Sequence, residues 1–295
     1  MSNINLPEEV PVVAAVRPMK ERREYVRFTR QERTLHVCLN ISFICLAITG
    51  LTLKFSYTSW AVKVSYILGG FQTAGYIHRT AAVIMFCTFA THLFGLYKLK
   101  KTKYGTWMNL IFGENSMIPG GQDLKEFIAT LKWFVGKGER PQYGRWTYWE
   151  KFDYFAVFWG VFIIGSTGLT LWFPVFFTRF LPGWFLNVGT IVHSDEALLA
   201  TGFIFTVHFF NTHLRPEKFP MDTTVFTGRM KLAELKRDKP REYELMVARG
   251  ELEDKLVEPY PPIVIRAFRA YAWATLAVGS AIAIWIVYAM IFAYR

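Results

Sequence analysis

Five apolar runs, at about residues 35–55, 77–97, 153–175, 191–212 and 267–293, constrain this chain more than any other feature. Each approaches the roughly 20 residues with which a helix crosses the hydrocarbon core of a bilayer. Lipid offers no partners to an unpaired backbone, so each run must close its own hydrogen bonds as helix. The expected fold class is an all-α membrane protein with five transmembrane helices, four of them in a bundle and the fifth beside it. Composition agrees, since 52% of the 295 residues are hydrophobic and 17% aromatic, and the mean hydropathy is +0.21, unusual for a soluble domain of this length.

The net charge of +11 does not point to nucleic acid, because the cations lie between the apolar runs instead of sharing one face. Lys and Arg number 7 in 1–33, 1 in 56–76, 10 in 97–151, 1 in 176–190 and 10 in 214–265. This alternation predicts a cytoplasmic N-terminus and cytoplasmic long loops, with the short connections on the other side. No cleavage site follows the first run, so it is expected to stay as an anchor. The expected organisation is a tail at 1–33, a bundle at 34–225 containing the loop 97–151, a second loop at 226–265 and a fifth helix at 266–295. Within the first loop, "DLKEFIATLKWFVGK" spaces Leu124, Phe127, Ile128, Leu131 and Phe134 helically against Lys125, Glu126 and Lys132. That pattern suits a helix lying in the membrane interface or one covered by a partner subunit.

Cys38, Cys45 and Cys87 fall within apolar runs and form neither a C-x-x-C-H nor a paired C-x-x-C pattern. Covalent haem, zinc and iron–sulfur sites are therefore not indicated, and the thiols read as packing residues.

The chain repeats itself. "TGLTLKF" at 49–55 returns as "TGLTLWF" at 167–173, and "HRTAAVIMFCTFATHLF" in the second run matches "HSDEALLATGFIFTVHFF" in the fourth. The offsets are 118 residues for Thr49 to Thr167, 115 for His78 to His193 and 116 for His92 to His208. Runs one and two thus recur as three and four in the same orientation, which implies an approximate two-fold axis along the membrane normal.

On a regular helix His78 and His92 return to within about 40° of one face, roughly 21 Å apart; His193 and His208 return to within about 60°, roughly 22 Å apart. His78 is then expected opposite His193 near the outer end, and His92 opposite His208 near the cytoplasmic end. Two neutral imidazoles on facing helices, without thiolate or carboxylate, suit haem iron. Gly50, Gly168, Gly160, Gly165 and Gly202 leave room for a flat macrocycle. A lone intramembrane histidine is more often a packing residue; four at matching depth on related helices are not explained that way.

The stretches "RFTRQERTLHVCLNISFICLAITGLTL" (27–53), "GYIHRTAAV" (75–83), "GRWTYWEKFDYFAVFWG" (144–160) and "VHSDEALLATGFIFTVHFFNTHLRPEKFPMD" (192–222) resemble the membrane cytochrome b subunits of formate dehydrogenases and nickel–iron hydrogenases, and related cytochrome b/b6-type subunits. The resemblance covers roughly residues 25–225. It implies a multi-pass protein of the bacterial inner membrane with two haem b groups and a quinone substrate, menaquinone or ubiquinone. The implied partner is a periplasmic or membrane-anchored redox subunit such as a multihaem cytochrome c, an iron–sulfur subunit or a dehydrogenase. In the formate dehydrogenase type the inner ligands map onto His36 and His208, whereas the 14- and 15-residue spacings match the quinol:cytochrome c type, in which His92 pairs with His208. The repeat favours His92, because the mate of His36 lies at Tyr154, a non-ligand.

Four polar groups near the cytoplasmic mouths of spans one and four, His36, Asn40, Asn211 and His213, are expected to meet a quinone. His213 lies about 140° round a regular helix from His208, so it is expected as an interfacial residue, with a third haem between His36 and His213 as the alternative. Asp195 and Glu196 are either solvated at the outer interface or functional. Glu150, Lys151 and Asp153 are expected as a solvated, charge-paired interface. No residue is singled out as catalytic: nucleotide-binding and nucleophile motifs are not visible, so the chain is expected to be a subunit and not a complete enzyme. The other class of function is a metal or proton transporter lined by the histidines and Asp195/Glu196, which would favour carboxylates at the midplane and broken helices.

Overall fold

The structure is a computed structural model that describes residues 23–219 and 221–293; most of the tail expected at 1–33 falls outside them. Among the described residues five helices are long and apolar enough to cross a membrane: span one, Arg30–Lys54; span two, Phe71–Tyr104; span three, Tyr148–Trp172; span four, Trp184–Leu214; and span five, Pro262–Phe292. Spans two and four contain their expected runs, spans one, three and five contain all but the last one to three residues of theirs, and each helix begins earlier than its run. Span one opens on a capping box in which the Thr29 amide donates to the Glu32 carboxylate at 2.7 Å and the Glu32 amide to the Thr29 hydroxyl at 3.3 Å. Span three opens on the same box, Thr147 with Glu150. Both residues recur at the 118-residue offset, so the repeat includes the helix starts.

Span one packs along span two and span three along span four, while the two hairpins meet each other only sparsely. Span five closes one flank, where Gly279 lets the rings of Phe205 and Phe209 in span four sit against its backbone. The outward surfaces carry large apolar residues such as Ile84, Phe162 and Ile284, as a lipid-facing surface requires. Cys38 and Cys45 line an apolar groove between spans one and two, whereas Cys87 is exposed and does not pack as expected.

Span four is not a regular α-helix to its end. Residues Ile204–His208 and Phe210–Leu214 are π-helical, so the i→i+5 repeat carries His213 back towards the face of His208. The 140° separation expected of a regular helix does not hold there.

The long connections do more than lie on a membrane surface. Strand β1 (Glu24–Val26) sits between β2 (Arg229–Lys231) and β3 (Leu256–Val257), antiparallel to both. Tyr25, Met230, Leu235, Met246 and Leu252 form a small core against it. Strands of two or three residues carry no readable alternation, so periodicity could not reveal them.

Buried charges tie this unit to span three. Arg27 meets Glu150 at 3.0 Å and Glu242 at 3.4 Å; Arg145 meets Glu242 at 2.9 Å and donates to the Tyr25 hydroxyl at 3.0 Å; Lys239 meets Glu150 at 2.6 Å. Burial, with Glu242 adding to it, pushes the Tyr25 phenol up to about 12, and burial brings the Lys239 amine down to about 8. The expectation of a solvated Glu150–Lys151–Asp153 interface is therefore corrected. Glu150 belongs to this network, Lys151 pairs with Asp123 at 2.9 Å, and Asp153 pairs with His208. Glu242→Ala leaves Arg27 and Arg145 facing each other without their shared carboxylate, so a loss of about 3–5 kcal/mol is expected. Thermal unfolding, with limited proteolysis of the 226–265 region, measures it.

The Gly121–Phe134 helix packs inside out. Asp123, Glu126 and Thr130 are its buried residues, while Leu124 is 61% and Phe134 68% exposed. Its polar face meets the protein, through Lys151 and through a hydrogen bond between the Thr130 and Tyr143 hydroxyls at 2.7 Å.

Candidate haem sites

The first site joins the hairpins near their short-loop ends. His78 of span two and His193 of span four face each other with ring centroids 6.3 Å apart and planes at 72°. The Thr49 hydroxyl donates to the Cys45 carbonyl at 2.6 Å, so towards His78 Nδ1, 2.9 Å away, it can only accept. His193 Nδ1 donates to the Ile164 carbonyl at 2.9 Å and lies 3.4 Å from the Thr167 hydroxyl, which itself donates to Ile163. Both rings thus carry their proton on Nδ1 and keep the Nε2 lone pair for a metal, the arrangement by which an outer partner fixes a ligating histidine. Thr49 and Thr167 are repeat mates, and the glycine after each clears the ring. A Cβ on Gly50 would lie 3.3 Å from His78 Cε1, and one on Gly168 3.0 Å from His193 Cε1. These glycines make room for the imidazoles; Gly165 faces Phe86, and Gly202 faces open space. Two metal–imidazole bonds of about 2 Å each, plus the ring radii, come to about 6 Å, so the observed separation of the rings is of the size that one metal ion held by both would need.

At the long-loop end the structure brings together His36, His208 and His213. His36 lies within electrostatic reach of both others. His208 Nδ1 meets the Asp153 carboxylate at 2.9 Å, which again leaves Nε2 free. His36 Nδ1 and His213 Nδ1 are buried without a hydrogen-bond partner. Phe226 meets the His36 ring edge-on, and Phe209 meets His213. His92 is not in this group. Its Nε2 is hydrogen-bonded to the Tyr154 hydroxyl at 2.8 Å, with the rings of Tyr154 and Phe158 edge-on to it. Tyr154 is the repeat mate of His36 and His92 that of His208. The Tyr154–His92 pair is therefore the two-fold counterpart of His36–His208, with a phenol where an imidazole stands in the other half.

Of the polar residues expected near a quinone, Asn40 accepts a hydrogen bond from Tyr271 of span five at 2.9 Å, and Asn211 lies in the π-helical end of span four. Asp195 pairs with Lys54 at 2.8 Å, and Glu196 accepts from the Trp159 indole at 2.7 Å. Sequence reasoning passed over Asp153 as a partner of His208 and Tyr154 as a partner of His92. The 118-residue offset carried the second of these; no local signal carried the first.

Five apolar helices, a duplicated hairpin and a histidine pair facing across it have the form of an all-α, multi-pass membrane cytochrome b. Among curated proteins the chain is similar to the formate dehydrogenase cytochrome b556(fdo) subunits of Escherichia coli strain K12, strain O6:H1 and O157:H7, each 24% identical over 181 residues, 61% of this chain and 75% of theirs. No protein-family model matches the chain.

Proposed function

We propose that this protein is a di-haem b-type cytochrome that carries electrons across a bacterial inner membrane between the quinone pool and a redox partner. The observation that carries the reading is the His78–His193 pair, whose rings meet across the two hairpins at 6.3 Å while their Nδ1 atoms are held by repeat-related groups. The second site is assigned to His36 and His208, because the Nε2 of His92 is engaged by Tyr154 and because His36 lies in the group of His208. Haem supplies one-electron chemistry when bound. His78 and His193 at one site, and His36 and His208 at the other, would hold its iron, and Thr49, Ile164 and Asp153 would keep the rings of His78, His193 and His208 oriented.

The charge asymmetry of the loops supports a cytoplasmic N-terminus, with the His36–His208 site on the cytoplasmic side. There His213 and Asn211 offer donors and acceptors to a quinone headgroup, and Asn40 does so once released from Tyr271. The His78–His193 site then faces an outer redox subunit, a reading supported by relatives that are themselves named as subunits of formate dehydrogenase. Purified protein is expected to contain two haems per chain by pyridine haemochrome assay. A quinone-analogue inhibitor is expected to shift the spectrum of the haem lost in His208→Ala and to leave the haem lost in His78→Ala unchanged. One haem or none ends the di-haem reading; a shift confined to the other haem moves the quinone to the outer side, beside Asp195 and Glu196.

A further inference from the structure

We propose that Arg79 anchors the carboxylate arms of the haem held by His78 and His193, an inference that rests on the haem reading above. Arg79 follows His78 directly, inside span two, and among the described residues no carboxylate pairs with it. A cation within a span normally faces a partner or a cavity. The guanidinium of Arg79 lies over the ring of Tyr76 at 6.0 Å and over that of Trp172 in span three at 5.8 Å. It is therefore held at the opening between spans two and three.

The repeat gives this position its meaning. Arg79 is the mate of Ser194, at the offset that relates His78 to His193, and Trp172 is the mate of Lys54. Lys54 donates to Ser194 at 2.9 Å at the opening between spans one and four. The Lys54–Ser194 and Trp172–Arg79 junctions are thus two-fold equivalents, and each sets one cation beside the His78–His193 pair. At the first junction Asp195 supplies an anion, 2.8 Å from Lys54. At the second none is supplied among the described residues, so the ligand that completes it is an anion brought with the cofactor. A planar guanidinium suits a carboxylate through two parallel hydrogen bonds, and the two aromatic faces hold it in place.

Purified haem-loaded protein tests this through resonance Raman of the carboxylate-arm bending modes and through the midpoint potential of the His78–His193 haem. Arg79→Gln is expected to keep both haems, to move the bending band and to disfavour reduction about tenfold, a fall of about 59 mV for one electron, because a lost positive charge favours the ferric state. Arg79→Lys keeps the charge without the fork; it is expected to move the band while lowering the potential less, and it serves alone if Arg79→Gln does not accumulate. A bending band identical to wild type in either variant overturns the proposal. Absence of a His78-dependent haem from the wild-type protein is a separate outcome that overturns the haem reading itself.

Discussion

His36→Ala and His208→Ala are expected to remove one and the same haem, while His92→Ala leaves both in place. Each of the first two changes deletes one of the two axial nitrogens of a single low-spin site, and an iron with one remaining imidazole loses its low-spin signature. His92 is in a different situation. Its Nε2 meets the Tyr154 hydroxyl at 2.8 Å on the far side of the pseudo-two-fold axis from His36, so its removal costs a hydrogen bond and some packing, about 1–3 kcal/mol if Tyr154 is left unsatisfied. Low-temperature electron paramagnetic resonance of the three variants separates the cases. Loss of the same signal in His92→Ala and His208→Ala, with His36→Ala retaining it, would restore the pairing that the 14- and 15-residue spacings suggested.

The second large effect is expected at Gly168. A Cβ there would lie 3.0 Å from His193 Cε1, and the branched methyls of Gly168→Val would reach further into the ring. The imidazole must swing away from His78, leaving the Ile164 carbonyl that holds its Nδ1. The expected result is a chain with one haem, the one that depends on His208, and unchanged helicity by circular dichroism. The overpacking itself costs about 1–3 kcal/mol, small beside the loss of an axial ligand. Gly50→Ala is expected to be milder, because the corresponding clearance to His78 is 3.3 Å. Two haems in Gly168→Val with an unperturbed outer spectrum would remove this glycine from the site.

Asp153 shows why some of this chemistry was hidden. It lies in a stretch of polar residues that opens a membrane helix, where charge and solvation are the ordinary reading, and its partner His208 is 55 residues away in the chain. Only the packing of span three on span four brings the carboxylate to the ring. The Gly121–Phe134 helix illustrates the opposite case: its apolar stripe was legible, but which face would be covered was not. The stripe points outward because Asp123 and Thr130 find Lys151 and Tyr143 beneath the helix.

By itself the sequence determined that this chain crosses a membrane five times, that its first four spans are one hairpin used twice, and that His78 and His193 face each other. These follow from long-range regularities, apolar run length and a fixed offset, that survive without knowledge of local geometry. The tertiary structure decided the company of the remaining histidines. A 15-residue spacing read on a regular helix misplaces everything beyond it, because the π-helical turns at 204–208 and 210–214 change the angle per residue and bring His213 round to His208. The repeat treats His92 and His208 alike. Its halves differ around these rings: His92 meets Tyr154, the mate of His36, whereas His208 meets Asp153, whose mate is Leu35, and only the packed bundle shows these contacts.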